Sequence, residues 1–163
     1  MKAHVKALVL SLSILFVSSF VHGARTEQKK VSGPKIDVLF VVDNSGTMGS
    51  SQQSFIANIP AFVDKMKNSD IDYHIRVATT DAYLALYNPN YANNIKLRDG
   101  AENNHSVVFV VTPNTPNLQN ALAINLNQGI SGSEDERAFY SFREVLKYPG
   151  NSSFRRTRGK NKS

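Results

Sequence analysis

Apolar residues along the chain form two kinds of pattern, and together they predict strands alternating with helices. Residues 36–42 are a nearly continuous, β-branched apolar run, which is typical of a strand buried on both faces of a sheet. Residues 71–79 return to strand character, and residues 107–111 predict a third apolar strand. Between them, residues 82–105 form a polar excursion in which a short strand over 95–97 is expected.

The other segments have helical spacing. Apolar residues at steps of three and four predict an amphipathic helix with the apolar face Phe55, Ile59, Phe62, Val63 and Met66. Its opposite, polar side is expected to hold Gln52, Gln53, Asn58, Asp64 and Lys65. Pro60 falls inside this pattern and predicts a kink or break. Residues 117–127 predict a short helix, and 134–147 predict an amphipathic helix with acids in its first turn. The core face of that last helix is expected to be Ala138, Phe139, Phe142, Val145 and Leu146.

Strand, helix and strand in this order predict the fold class. We expect an α/β fold with a Rossmann-like, doubly wound, mainly parallel sheet. The residues after position 23 number about 140, which fits a single domain.

The first residues predict a secretory signal peptide. Two lysines precede an apolar run over 7–20, and residues 21–23 suit a signal peptidase, which places cleavage after Gly23. The run is short for a bilayer span. We therefore expect an exported protein, periplasmic, secreted or in the cell envelope, without stable membrane insertion after cleavage. A buried N-terminal helix or an uncleaved anchor is the alternative. Polar residues 24–35 predict a linker into the domain.

The net charge of +6 is concentrated at the ends of the chain. Two of the 19 Lys and Arg residues lie in the signal segment and five in the last nine residues, so the remaining twelve face 13 acids. A basic tail over 149–163 is predicted to be disordered. No basic face is interleaved with aromatic residues, so we expect no nucleic-acid partner. The chain has no cysteine, which excludes a disulfide framework, a thiolate metal site and a cysteine nucleophile.

The loop that follows the first strand carries the candidate chemistry. Asp43, Ser45 and Thr47 occupy alternate positions, and Gly46 allows a tight turn. Ligands of doubly wound sheets bind beyond the carboxyl ends of the strands, which is where this loop lies. One carboxylate and two hydroxyls are hard oxygen donors that suit Mg²⁺, Mn²⁺ or Ca²⁺. The sequence therefore predicts a divalent-cation site here, with Asn44 and Gly46 as neighbouring ligand-binding residues.

Asp81 ends the second strand and could lean towards the same crevice. A loop or helix-capping role for its carboxylate is the alternative.

Residues 36–66 resemble a known site. Asp43-x-Ser45-x-Thr47, after an apolar strand and before an amphipathic helix, is similar to the metal-ion-dependent adhesion site of von Willebrand factor A domains, whose motif is Asp-x-Ser-x-Ser. The stretches 73–81 and 129–146 look like a bacterial, exported branch of that family. The resemblance implies a non-enzymatic domain that binds a protein ligand, whose acidic side chain completes the coordination of Mg²⁺, or of Mn²⁺ or Ca²⁺.

The resemblance also has departures. In the family a second loop supplies a threonine to the metal; here Ser133 matches, with Ser131 as the alternative, and both serines could instead cap the following helix. The family's further strand ending in Asp has no match after Leu146. The resemblance thus implies a partial A-type domain over 36–148, incomplete at its C-terminal side. A truncated fragment without a function of its own is the alternative.

An enzymatic alternative uses the same loop. Haloacid-dehalogenase-type phosphatases carry Asp-x-Asp-Gly-Thr with the first Asp as nucleophile, and Asp43 would take that role. Ser45 stands where the second Asp acts as acid and base, and a serine hydroxyl does not donate a proton there near neutral pH. His74 and His105 lie in no zinc or triad spacing. The acids at 134–136 are interpreted as a helix first turn rather than a calcium cluster, and we expect no enzyme.

Overall fold

The computed structural model describes residues 33–101 and 103–154, and its centre is a pair of parallel strands. Strand β1 (Lys35–Val42) pairs with β2 (Asp72–Thr79), and the register places Ile36 opposite Tyr73 and Val42 opposite Thr79. Helices α1 (Gly49–Ala57) and α2 (Ile59–Lys67) connect the two strands. The protein is therefore α/β with a parallel sheet, as the order of strand, helix and strand predicted.

The chain after β2 is mostly helical. A 3-10 helix over Thr80–Leu86 and a second over Pro89–Tyr91 lead to a small antiparallel hairpin, β3 (Gly100–Ala101) and β4 (Asn104–His105). Helices α3 (Leu118–Leu126) and α4 (Ala138–Lys147) follow. A 3-10 helix over Pro149–Phe154 ends the described part of the chain.

The predicted helix between the strands is broken at Asn58, which confirms the effect expected of Pro60. The proline lies in the first turn of α2, where its missing N–H has no intrahelical partner to lose. Ile59 and Val63 are buried as predicted, whereas Phe55 is 46% exposed. Gln52 was expected on the solvent side of this helix and is instead buried, so that assignment is wrong.

Apolar side chains pack on both faces of the sheet. On one face, the alternate residues Val38, Phe40, Tyr73, Ile75 and Val77 pack in a cluster with residues of α2 and α3. On the other face, Leu39 and Ala78 pack with Leu97 and with Val145 of α4. The parallel pair therefore has helices on both sides, which is the layering expected of an α/β fold.

Strand β1 is less buried than its sequence predicted. Its residues are exposed or half-buried, because among the described residues only β2 pairs with it. A hollow of about 250 Å³ is lined by Leu39 and Val41 of β1 and by Ala138, Phe139 and Phe142 of α4. The prediction that Ala138, Phe139 and Phe142 face the core is wrong, since all three are exposed and Phe139 reaches 92%. Val145 is fully buried, as predicted.

Residues 107–111 do not form the predicted strand. Val107 has a φ of 58°, which takes the backbone out of the extended region. The side-chain amide of Asn125 donates to the Val108 backbone carbonyl at 2.7 Å. In a β-sheet this carbonyl would instead accept a hydrogen bond from the backbone of a neighbouring strand. Only Val111 pairs with the sheet, through an isolated antiparallel bridge to Ile75. The expected strand over 95–97 does not form either.

The two ends of the chain bear on several predictions. Residues 149–154 belong to the predicted tail, yet Asn151 is buried and its side-chain amide donates to the carbonyls of Ile95 and Val145. The predicted signal peptide and the basic residues after 154 lie outside the described residues. Within the described part, no helix is long and apolar enough to cross a membrane.

Candidate functional site

The loop over residues 43–47 begins where β1 ends, at the carboxyl edge of the parallel pair. The backbone N–H of Ser45 donates to the Asp43 carboxylate at 2.8 Å, which folds that side chain back over its own loop. Ser45 is 3% exposed, whereas Gly46 and Thr47 are exposed. The loop therefore combines a half-buried carboxylate, a buried hydroxyl and an exposed hydroxyl.

Gln52, in the first turns of α1, holds this loop against a second segment of the chain. Its side-chain amide donates to the carbonyls of Asp43 at 2.6 Å and Gly129 at 2.9 Å. Its carbonyl oxygen accepts from the backbone N–H of Gln128 at 3.1 Å. One buried side chain thus joins the end of β1 to the start of the segment 129–137.

The segment 129–137, which we call the covering segment, lies against the Asp43 loop. The N–H of Gly132 donates to the Asn44 carbonyl at 2.7 Å. A Cβ on Gly132 would lie 2.5 Å from the Asn44 side-chain amide and 2.7 Å from its carbonyl oxygen, so only glycine allows this approach.

Asp81 joins the same two segments. Its carboxylate is 3% exposed and accepts from the Asn44 side chain at 3.2 Å and from the backbone N–H of Ser133 at 3.1 Å. Thr80 also donates its hydroxyl hydrogen to the Asn44 side chain. The structure therefore brings together Asn44, Asp81 and Ser133, which the sequence had proposed separately.

The two serines proposed as second-loop ligands have different surroundings. The Ser133 hydroxyl accepts from the backbone N–H of Asp135 at 3.1 Å, and Ser131 is exposed. This bond lies ahead of α4, which begins only at Ala138, so Ser133 does not cap that helix. Coordination of a metal by either serine stays a prediction.

Glu136 is the site residue that the sequence did not predict. The Ser45 hydroxyl donates to the Glu136 carboxylate at 3.1 Å, across 91 residues of chain. The acids at 134–136 were interpreted as the first turn of a helix, and this is wrong because the helix starts after them. The nearest sequence signal is the pair of glycines at 129 and 132, which marks a loop just before the acids.

Asp135, the residue before Glu136, binds side chains outside the Asp43 loop. Its carboxylate accepts from the Arg137 guanidinium at 2.7 Å and from the Tyr83 hydroxyl at 3.0 Å. The Arg137 hydrogen bonds, followed by the Tyr83 bond, hold the pKa of the Asp135 carboxyl below its ordinary value. Burial and then the Asp135 carboxylate raise the pKa of Tyr83. Asp135 thus anchors the covering segment.

The two histidines in the described part of the chain make contacts away from this site. His74 Nδ1 lies 3.2 Å from the Arg76 guanidinium and 3.8 Å from the Asp37 carboxylate on the sheet. His105 Nδ1 lies 3.0 Å from the Asp99 carboxylate beside the β3–β4 hairpin. Neither histidine contributes to the loop after β1.

The side chains of this loop and its partner Glu136 offer oxygen atoms as metal ligands. Carboxylates come from Asp43 and from Glu136, the two hydrogen-bond partners of Ser45, and the loop adds the hydroxyls of Ser45 and Thr47. In residues 33–101 and 103–154, no three His, Cys, Asp or Glu side chains are grouped so as to hold a metal ion. A cation here would therefore use hydroxyl and water oxygens besides carboxylates. That set fits Mg²⁺, Mn²⁺ or Ca²⁺ and does not fit metals that prefer nitrogen or sulfur.

Comparison of the chain with protein-family models, with curated proteins and with solved structures finds no match.

Proposed function

We propose that this chain is a metal-ion-dependent protein-binding domain of the von Willebrand factor A type, built on a Rossmann-like, doubly wound sheet. Asp43, Ser45 and Thr47 hold a Mg²⁺-class ion directly or through water. The observation that carries the proposal is the loop geometry. Asp43 and Ser45 are fixed to each other by a 2.8 Å hydrogen bond at the carboxyl ends of parallel strands. That edge of such a sheet is where ligands bind.

The three site residues differ in exposure and are proposed to have different roles. Asp43 supplies the negative charge, and the buried Ser45 supplies a hydroxyl whose position is fixed by hydrogen bonds. Thr47 is exposed, so its side of the ion is open to solvent and to a partner. When bound, the cation supplies positive charge that an acidic side chain of a protein ligand can coordinate.

The proposed function is binding rather than catalysis. The protein is proposed to be exported and to act in the cell envelope or outside the cell. Export depends on the predicted signal peptide at 1–23, which lies outside the described residues. A fragment without a function of its own is the competing proposal, and it expects no specific affinity for a cation.

Calorimetric titration with Mg²⁺ and Mn²⁺ tests the proposal. The parent protein should bind one ion per chain. Asp43→Asn keeps the shape of the side chain and removes its charge, and it should weaken binding by at least about tenfold, a loss seen even for groups outside the first coordination shell. Asp64→Asn, on the exposed side of α2, removes the same charge elsewhere and serves as the matched control. Equal affinities in the two variants, or no saturable binding by the parent, would contradict the proposal.

A further inference from the structure

We infer that Glu136 is a positioning residue of the cation site and acts through the Ser45 hydroxyl. This inference rests on the proposed function. It starts from a contact between distant parts of the chain, in which the Ser45 Oγ–H donates to the Glu136 carboxylate at 3.1 Å. Ser45 is 3% exposed, so water has little access to compete for that hydrogen.

The direction of this hydrogen bond determines what Ser45 can do. A serine hydroxyl has one hydrogen and two lone pairs. When the hydrogen is given to Glu136, both lone pairs are left to face a cation. Without an acceptor at this place, the hydroxyl could rotate and donate towards the ion instead. Glu136 thus holds the Ser45 O–H bond in the orientation that leaves the hydroxyl oxygen free to bind the cation.

Ser45 also connects the two carboxylates of the site. Its backbone N–H binds Asp43 and its hydroxyl binds Glu136, so a single residue fixes both acids. Such outer contacts are what set the orientation and basicity of metal ligands.

The covering segment holds Glu136 in this position. Gly132 and Ser133 bind Asn44 and Asp81 through their backbone N–H groups. One residue before Glu136, the Asp135 carboxylate is fixed by Tyr83 and Arg137. The segment is therefore anchored just ahead of Glu136 and directly beside it, which lets the exposed Glu136 reach a buried hydroxyl.

The test is the affinity of the full chain for Mn²⁺, measured by electron paramagnetic resonance of the unbound ion. Glu136→Leu removes the acceptor of the Ser45 hydrogen and should weaken Mn²⁺ binding by about tenfold or more, the usual effect of removing an outer-shell partner. Glu134→Leu removes the same charge two residues away on the exposed surface and is the matched control, with an expected change below twofold. Leu is close to Glu in size, and Glu136 is exposed, so the fold is retained.

A double-mutant cycle separates action through Ser45 from a general effect of charge. In a Ser45→Ala background, Glu136→Leu should change the Mn²⁺ affinity less than twofold, because the hydroxyl that Glu136 orients is gone. Equal losses in both backgrounds, or equal effects of the two Leu variants, would overturn the inference while leaving the proposed function intact. If the parent binds no Mn²⁺, or Asp43→Asn leaves its affinity unchanged, the proposed function fails and the inference fails with it.

Discussion

Replacing Gln52 by leucine should destabilise the protein far more than its position on a polar helix face suggests. The side chain makes three hydrogen bonds to main-chain groups of Asp43, Gly129 and Gln128. Each such bond contributes about 1 kcal/mol net, and leaving its partner buried and unpaired costs about 1–3 kcal/mol. Because the Asp43 and Gly129 positions are only half-buried, water can reach them in part. We therefore expect a loss of about 2–3 kcal/mol in the free energy of unfolding.

Urea unfolding followed by circular dichroism measures this loss. With a denaturant slope of about 1.5 kcal/mol per molar, the Gln52→Leu midpoint should fall by roughly 1.3–2 M. Gln53→Leu is the matched control, since Gln53 is the adjacent residue and is exposed. Its midpoint should move by no more than the equivalent of about 0.5 kcal/mol, as for most surface substitutions. Equal midpoints for the two variants would refute the reasoning that Gln52 joins the Asp43 loop to the covering segment.

Three further predictions concern α4 and the covering segment. Val145→Ala truncates a fully buried side chain and should lower the free energy of unfolding by about 1–3 kcal/mol in the same urea assay. Phe139→Ala, at a 92% exposed position, should change the free energy of unfolding by less than about 0.5 kcal/mol. Gly132→Ala should weaken Mn²⁺ binding, because its Cβ would meet Asn44 at 2.5 Å and push the covering segment away, and unchanged affinity would show that the segment does not support the site. Glu144 has a pKa lowered from its ordinary 4.5, mainly by its hydrogen bond to Arg143, so it stabilises the fold above about pH 4.5 and this contribution is lost as the pH falls through the lowered pKa. The stability difference between the parent and Glu144→Gln should therefore shrink below pH 4.5, and a constant difference from pH 7 to 3 would contradict the assignment.

The elements that could be predicted are those whose local pattern agrees with their packing. Strand β1 is a nearly continuous apolar run rich in β-branched residues, and β2 has apolar residues at alternate positions from Tyr73 to Val77. The break before Pro60 follows from its ring and missing N–H. The run at 107–111 is at least as apolar and β-branched as β1 but does not form a strand. There, the left-handed Val107 and the Asn125 side chain give the backbone a different set of partners. A side-chain bond from another element cannot be read from local composition.

The candidate site divides in a similar way. Asp43, Ser45 and Thr47 could be proposed because ligand chemistry at the end of a parallel strand depends on local sequence. Glu136 could not, because it meets Ser45 only through the covering segment. Ser133 and Asp135 hold that segment with tertiary hydrogen bonds, and α4 consequently begins at Ala138. A run of acids at 134–136 has strong helix-start character, and only the fold reveals which acid faces the loop.

The same tertiary effects explain the exposure of α4. Its amphipathic spacing correctly predicted Val145 as core, since that residue packs with Leu39 and Ala78. Phe139 and Phe142 share the apolar stripe but line the hollow that Leu39 and Val41 also line, and both are exposed. Periodicity identifies the apolar face of a helix, and tertiary packing decides how much of that face is covered.

The most direct test of the proposed cation site is a crystal of the protein soaked in Mn²⁺ and measured for anomalous scattering. We predict a single anomalous peak at the loop after β1, about 2.0–2.6 Å from oxygen atoms of Asp43 and Ser45, the range of ligand distances for hard divalent cations. In that structure the Glu136 carboxylate should still accept a hydrogen bond from the Ser45 hydroxyl. A loop without anomalous density at saturating Mn²⁺, or an ion bound only at other carboxylates, would contradict the account.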